Sequence, residues 1–113
     1  MKPLTASQLS AWKHAEKDFL LLNVLDRNAF EKRHIPGSQN VPVQSSGFET
    51  AAEKLAGSKQ KPVVVYCADS ACNASGEAAA KLDAAGFKEV YEFDGGLRAW
   101  NDASQPVASG SLN

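Results

Sequence analysis

Two short apolar runs dominate the hydrophobic pattern of the chain. Phe19 to Leu25 (FLLLNVL) and Val63 to Tyr66 (VVVY) are nearly uninterrupted and lack the alternation of a half-exposed strand. Such runs are typical of parallel strands that are buried on both faces of a sheet. A third strand is predicted over Lys88 to Phe93, and Val41 with Val43 indicates a brief further strand. The pattern therefore predicts a small parallel sheet.

Helical segments alternate with these strands. Thr5 followed by Gln8 has the pattern of a capping box and predicts a first helix that runs to about Glu16. Further helices are predicted over Asp26 to Arg33, Phe48 to Ala56 and Gly76 to Ala85, and a last short helix through Leu97 and Trp100 follows the turn Asp94-Gly95-Gly96. In a chain of 113 residues this order predicts one α/β domain with helices on both faces of the sheet. We expect its core over residues 4–107 and a frayed end from Ala108 to Asn113.

Composition narrows the range of functions. Hydrophobic residues make up 43% and charged residues 22% of the chain, and the formal net charge is −1. These ordinary values give no electrostatic basis for binding nucleic acid or an anionic membrane. The apolar runs are too short to cross a bilayer, and the start MKPLTASQLS lacks the apolar core of a signal peptide. We expect a cytoplasmic protein that recognises its partner at a specific site; the sequence leaves its oligomeric state open.

The candidate chemistry lies at a cysteine. Cys67 follows the predicted strand Val63 to Tyr66 directly, at the sheet edge where α/β proteins bind ligands. The next loop leads into the N-terminus of a helix, where unpaired N–H groups and the helix dipole favour an anion such as a thiolate. The backbone of this loop can curl around a bound group, and the predicted cradle comprises Ala68, Asp69, Ser70, Ala71, Asn73, Ala74 and Ser75. Position alone leaves open whether Cys67 is a nucleophile or a buried strand-end thiol.

A second cysteine lies in the same loop. Cys72 comes five positions after Cys67 and can bond to it only if their Cα atoms lie within about 7 Å. It would then resolve a persulfide or a sulfenic acid on Cys67 as an internal disulfide. The alternative is a small residue that fills the end of the loop. Because no other Cys or His lies nearby, we expect neither a metal site nor a cofactor.

Four blocks of the chain carry a resemblance to a known family. LLNVLDRNAFEKRHIPGSQNVP, VVVYC, SGEAAAKLDAAGFKEV and FDGGLRAW occur in this order over roughly Leu4 to Val107. Together they resemble a single-domain rhodanese, which has a sulfurtransferase fold. The resemblance implies that Cys67 accepts a sulfane sulfur as a persulfide and that loop N–H groups hold the outer sulfur. It also implies two partners: a sulfur donor, either a small molecule or a persulfidated protein, and a thiol or other thiophilic acceptor.

The loop departs from the family pattern C-x-x-G-x-R-S. It is two residues longer between Cys67 and Ser75, and Ala74 stands where arginine is usual. No Lys or Arg lies between Cys67 and Gly76, and Asp69 adds a negative charge. Thiosulfate is a dianion, so we expect it to be a poor substrate.

Other positions near the predicted site also differ or are ambiguous. Arg98 is the nearest downstream cation and a candidate replacement for the loop arginine. Asp94 is expected to cap the last helix or to hold the turn before it, with lining of the cleft as the alternative. Asn23 and Leu25 replace an acid and an arginine that brace the site in the family. His34 lies in a segment that is structural in the family, and we expect the same here.

Three functions stay open at this point. The leading one is sulfur transfer through Cys67. A dithiol redox protein that uses Cys67 and Cys72 would form a reversible disulfide without a sulfur donor, and a catalytically inactive binding module would fit the lack of loop cations. Phosphatases and arsenate reductases of related fold need an arginine near the loop's end, where this chain has Asn73 and Ala74, so their chemistry is rejected.

Overall fold

A parallel sheet forms the centre of the protein. The structure is a computed structural model that describes residues 1–110, and these residues contribute five strands in the order β1-β5-β4-β2-β3. The strands are β1 (Lys2–Pro3), β2 (Leu20–Asn23), β3 (Gln39–Asn40), β4 (Val63–Tyr66) and β5 (Val90–Phe93). The helices are α1 (Ala6–His14), α2 (Arg27–Lys32), α3 (Phe48–Ala56), α4 (Ala74–Ala84) and α5 (Gly96–Asp102). The predicted α/β architecture is confirmed, with β4 in the middle of the sheet.

Helices cover both faces of the sheet. The side chains of β4 point alternately to one face and to the other, so this strand contributes to the core on both sides. Val63 and Val65 pack in one core cluster with residues of α3 and α4. Val64 and Tyr66 pack in a second cluster with residues of α1 and α5. All four side chains are fully buried. Burial on both faces explains why this strand lacks an alternating sequence pattern.

Several element boundaries follow local sequence signals. The predicted capping box is present: the Gln8 N–H donates to Thr5 Oγ1 at 3.1 Å and the Thr5 N–H to Gln8 Oε1 at 2.9 Å. β4 and α3 have the predicted bounds, and α3 ends where Gly57 adopts a left-handed conformation at φ +88°. α4 begins at Ala74, two residues before its predicted start. Among residues 1–110, no helix has the length and apolarity needed to span a membrane.

The brief strand predicted at Val41 and Val43 is wrong in position, because the assigned strand is β3. The Val41 N–H nevertheless donates to the Asn23 carbonyl at 3.0 Å, and the Val43 N–H donates to the Val24 carbonyl at 3.1 Å. These two bonds advance two residues along this segment but only one residue along β2, so the regular ladder is interrupted here. The segment therefore continues beside β2 without forming a regular strand.

The C-terminal end is held more firmly than the fraying prediction allows. The backbones of His34 and Ala108 exchange two hydrogen bonds, at 2.9 and 2.8 Å, in an isolated antiparallel bridge. The Gly110 N–H donates to the Glu31 carbonyl at 2.6 Å. The prediction of a frayed end is therefore wrong for residues 108–110. Residues 111–113, which it also included, lie outside the described residues.

Candidate active site at the cysteine loop

Cys67 lies at the carboxyl end of the central strand, as predicted, and its side chain is fully buried. The backbone at this point is fixed by α5. The Leu97 N–H donates to the Cys67 carbonyl at 3.0 Å, and the Arg98 N–H donates to the Ala68 carbonyl at 2.9 Å. Two carbonyls at the start of the loop therefore point away from the loop interior and toward the first turn of α5.

This contact requires a glycine at the start of α5. Gly96 has a φ of +61°, in the left-handed region that L side chains rarely adopt. A Cβ at this position would overlap the Cys67 carbonyl oxygen and lie 2.9 Å from the carbonyl carbon of Ala68. Gly96 is thus a site residue that the sequence analysis missed, although the Gly95-Gly96 pair was a visible signal of close backbone approach.

The loop then folds back on itself through a turn at Asp69. The Ala71 N–H donates to Asp69 Oδ1 at 3.0 Å, and the Cys72 N–H donates to the Asp69 carbonyl at 3.1 Å. The first bond is an Asx turn and the second closes a four-residue backbone turn. Asp69 therefore has a structural role in addition to the negative charge considered in the sequence analysis.

The turn brings the two cysteines together. Their Cα atoms lie 6.5 Å apart, within the limit for bonding, and the sulfurs form a Cys67–Cys72 disulfide. Cys67 is fully buried, whereas Cys72 is partly exposed. The exposed members of the predicted cradle are Ala68, Ser70, Ala71 and Asn73.

The start of α4 follows two residues after Cys72. Asn73 is its N-cap residue but makes no capping hydrogen bond with its side chain. Ser75 is buried, and its hydroxyl donates to Glu92 Oε2 of β5 at 2.8 Å. The Ser75 side chain is therefore engaged with the sheet, and anion binding at this helix start would fall to backbone N–H groups.

Charged residues line a cavity of about 410 Å³ beside the loop. Arg33 and Arg98 contribute positive charges, and Asp69 and Asp102 contribute negative ones. Arg98 thus reaches the cleft, as the sequence suggested, whereas Arg33 was missed because it is distant in sequence. The four formal charges sum to zero, so the cavity has no excess of cations.

Asp94 does not occupy the predicted capping position. Gly95 is the N-cap residue of α5, and Asp94 lies exposed one residue earlier. It is absent from the residues that line the two cavities next to Asp69. The helix cannot start at Asp94 because the chain must first make the left-handed bend at Gly96.

Comparison with known proteins identifies the family. Residues 5–103 match the Rhodanese-like domain family. The chain belongs to the rhodanese-like family. Thiosulfate sulfurtransferase GlpE of Pseudomonas syringae is 38% identical over 85 residues, covering 75% of this chain and 74% of that protein. GlpE of Shewanella oneidensis is 30% identical over 103 residues, covering 91% of this chain and 95% of its own. The crystal structure of BH2092 from Bacillus halodurans superposes with a TM-score of 0.85 at 30% identity, over 98% of this chain and 78% of that one.

Asn23 and Leu25 lie at the carboxyl end of β2 in this rhodanese-like domain, where Asn23 pairs with Tyr66 of β4. Asn23 is fully buried, and its Oδ1 accepts from the Leu25 N–H at 3.0 Å and from Asn40 Nδ2 at 3.3 Å. Its own Nδ2 is buried and has no hydrogen-bond partner among residues 1–110. Leu25 lines a separate cavity of about 310 Å³ with Val24, Pro42 and other residues. An amide and an apolar side chain therefore occupy the two positions at which the resemblance implied an acid and an arginine.

Buried polar groups hold the segment that carries His34. His34 Nδ1 lies 2.8 Å from the Phe30 carbonyl, and its ring stacks on the Phe30 ring with centroids 3.9 Å apart. The Tyr66 hydroxyl accepts from the Ile35 N–H at 3.0 Å and lies 2.8 Å from Ser38 Oγ. Burial raises the pKa of Tyr66, and these hydrogen bonds offset part of that rise. In this rhodanese-like domain His34 has packing and hydrogen-bonding partners that suit the structural role predicted for it.

Proposed function

We propose that this chain is a sulfurtransferase or sulfur carrier whose reduced Cys67 holds sulfane sulfur as a persulfide. The position of the Cys67 sulfur carries the proposal. It lies at the end of β4 and is bonded to Cys72, which comes two residues before α4 begins. The first turn of α4 lacks a side-chain cap, so its N–H groups are available to an anionic sulfur.

The proposed reaction consists of two displacements at sulfur. The Cys67 thiolate attacks the outer sulfur of the donor, forming an S–S bond while the donor leaves as sulfite or as a thiolate. A thiolate acceptor then attacks the outer sulfur of the persulfide, and the Cys67 thiolate leaves. Both leaving groups are anions, and the N-terminus of α4 stabilises the one that stays on the protein.

The charge of the cleft bears on the choice of donor. Several curated relatives are named thiosulfate sulfurtransferase, which makes thiosulfate the first donor to try. The cavity balances Arg33 and Arg98 against Asp69 and Asp102, however, and the loop itself has no cation. A monoanionic persulfide or a donor protein fits this balance better than a dianion.

The proposal predicts sulfur loading that depends on Cys67. Reduced protein is exposed briefly to thiosulfate or to glutathione persulfide, and its intact mass is measured beside Cys67→Ser and Cys72→Ser. We expect Cys72→Ser to gain one sulfur atom and Cys67→Ser to gain none. Equal loading of Cys67→Ser would place the sulfur elsewhere, and no loading of any variant would leave only a binding role for the domain.

A second prediction concerns the charge of the turn residue. Asp69→Asn is expected to lower KM for thiosulfate about fivefold with little change in kcat, since relief of one repulsion in a solvated cleft is worth about 1 kcal/mol. The amide keeps an oxygen in the place of Oδ1, so the Asx turn with Ala71 is preserved. Steady-state kinetics at two salt concentrations measure the effect, which should shrink at the higher one.

Asp94→Asn is the matched control for this prediction. It changes the net charge by the same amount at an exposed position outside the cavity that Asp69 lines. We expect its KM to stay within about twofold of the parent protein, because the Asp94 carboxylate is exposed to solvent and does not line the cavity. An equal fall in KM for both variants would mean that overall charge, and not Asp69, opposes thiosulfate.

A further inference from the structure

The second cysteine lies where it can act on the product of the first. The Asp69 turn ends at Cys72, and its two hydrogen bonds use backbone atoms and the Asp69 carboxylate and involve neither sulfur. α5 fixes the beginning of the loop through the carbonyls of Cys67 and Ala68, and α4 fixes its end. The 6.5 Å separation of the two Cα atoms is therefore set by both anchored ends of the loop as well as by its turn.

We propose that Cys72 is a second catalytic residue, which resolves the Cys67 persulfide and releases its outer sulfur as hydrosulfide. The proposal rests on the sulfur transfer proposed above and specifies the product of that site. The Cys72 thiolate attacks Sγ of Cys67, the Sγ–Sγ bond forms, and the bond from Cys67 Sγ to the outer sulfur breaks. The outer sulfur leaves with the electron pair as HS⁻; it is reduced, and the cysteine pair is oxidised to the disulfide.

The disulfide observed in the structure is the product of this step. Because Cys67 is fully buried under the returning loop, no donor can reach its sulfur in this state. The domain must be reduced before it accepts sulfur again. A dithiol reductant closes the cycle, giving up two electrons and two protons and becoming a disulfide itself.

The exposure of the two sulfurs fixes the direction of that reduction. Cys72 is partly exposed and Cys67 is not, so an incoming thiolate attacks Cys72 and forms a mixed disulfide there. Cys67 is the leaving thiolate, next to the N-terminus of α4, which stabilises its charge. Attack at Cys72 therefore frees the Cys67 thiolate first, and Cys67 is then ready for the next donor.

Attack of Cys72 on the Cys67 persulfide competes well with transfer of the outer sulfur to an external thiol. A thiol held in the same loop has an effective concentration of at least the millimolar range, and much more when its geometry is fixed. Free thiols must therefore be abundant, or bound in the cleft, to take the sulfur before Cys72 does. The overall reaction is thus the reductive release of sulfide from a persulfide donor, in which a dithiol is oxidised to a disulfide.

The test is a single turnover without oxygen. Reduced, desalted protein receives one equivalent of glutathione persulfide; intact mass is followed over time and free sulfide is measured with a sulfide-selective electrode. We expect the parent protein to lose two hydrogen atoms and release one equivalent of sulfide above the Cys72→Ser background. Cys72→Ser and Cys72→Ala should keep the added sulfur, with a persulfide lifetime at least ~100-fold longer.

Ala80→Ser serves as the control, because it alters an exposed residue of α4 outside the loop while keeping both thiols, and it should behave like the parent protein. Persulfide of equal lifetime in the parent protein and in Cys72→Ser would overturn the resolving role while leaving sulfur transfer intact. Loss of two hydrogens in parent protein that received no donor would overturn it in favour of plain dithiol oxidation. If Cys72→Ser never takes up sulfur, the proposed function and this inference fall together.

Discussion

Gly96→Ala is expected to lower the rate of sulfur transfer at least ~100-fold, since displacement of a reacting group by about 1 Å has that effect. The new Cβ would overlap the Cys67 carbonyl oxygen and crowd Ala68, so either the loop or α5 must move. The hydrogen bonds from Leu97 and Arg98 to the loop would be strained or lost. We expect a loss of about 2–4 kcal/mol in the free energy of unfolding, from overpacking and the left-handed φ together.

Gly47→Ala separates the effect of overpacking against the loop from the effect of the left-handed φ. Gly47 precedes α3 with a φ of +72°, close to the +61° of Gly96, but a Cβ there would meet no atom of the described residues within 4 Å. It should cost only about 1–2 kcal/mol for the left-handed conformation and leave sulfur transfer unchanged. Persulfide loading rates and urea unfolding of both variants measure the difference. If Gly96→Ala lost no more activity than Gly47→Ala, the contact with the cysteine loop would not matter for catalysis.

Trp100→Ala is expected to cost about 3–5 kcal/mol in the free energy of unfolding, a large part of the 5–15 kcal/mol typical of a domain. The Trp100 side chain is 1% exposed, and its ring packs edge-on against Phe93 with centroids 6.3 Å apart. Its Nε1–H also donates to the Pro106 carbonyl at 2.8 Å. The substitution would leave a cavity beneath α5 and release the segment that leads toward the C-terminus.

Urea unfolding followed by circular dichroism tests this expectation, with Trp12→Ala as the matched control. Trp12 lies on α1, half-buried, and packs edge-on against Phe19 and Tyr91. Its removal should cost about 1–2 kcal/mol because less apolar surface returns to water. Trp100→Phe keeps an aromatic ring and should recover part of the loss if Trp100→Ala fails to fold. An equal loss in the free energy of unfolding for Trp12→Ala and Trp100→Ala would contradict the larger contribution expected from the buried Trp100 ring.

Sequence patterns predicted those elements whose signals are local. The Thr5 capping box, the helix that ends at Gly57 and the apolar run of β4 each combine residue type and spacing within a few positions. β1 and β3 were missed or misplaced because two residues are too few to form a periodic pattern. Ala108 pairs with His34 across the domain, and no feature of the C-terminal sequence predicts such a contact.

In the candidate site, too, the sequence predicted only those features that depend on neighbouring residues. Cys67 was predicted from its place after a buried strand, and that placement depends only on neighbouring residues. The approach of Cys72 depends on the turn at Asp69, which has a local signal, and on the anchoring of the loop by α5, which has none. Arg33 was not predicted for the same reason, since the residue that ends α2 and residues of α5 line one cavity only in the folded chain.

The short edge strands have a consequence for how the domain behaves at high concentration. β2 and β4 are apolar stretches of the kind that pair readily with copies of themselves, but both lie inside the sheet. The edges are formed by β1 and β3, with two residues each, and β1 includes Pro3, which has no N–H to offer a neighbour. A second chain therefore finds little backbone to extend the sheet, and ordered aggregation of this domain requires that the edges first detach and uncover the strands within.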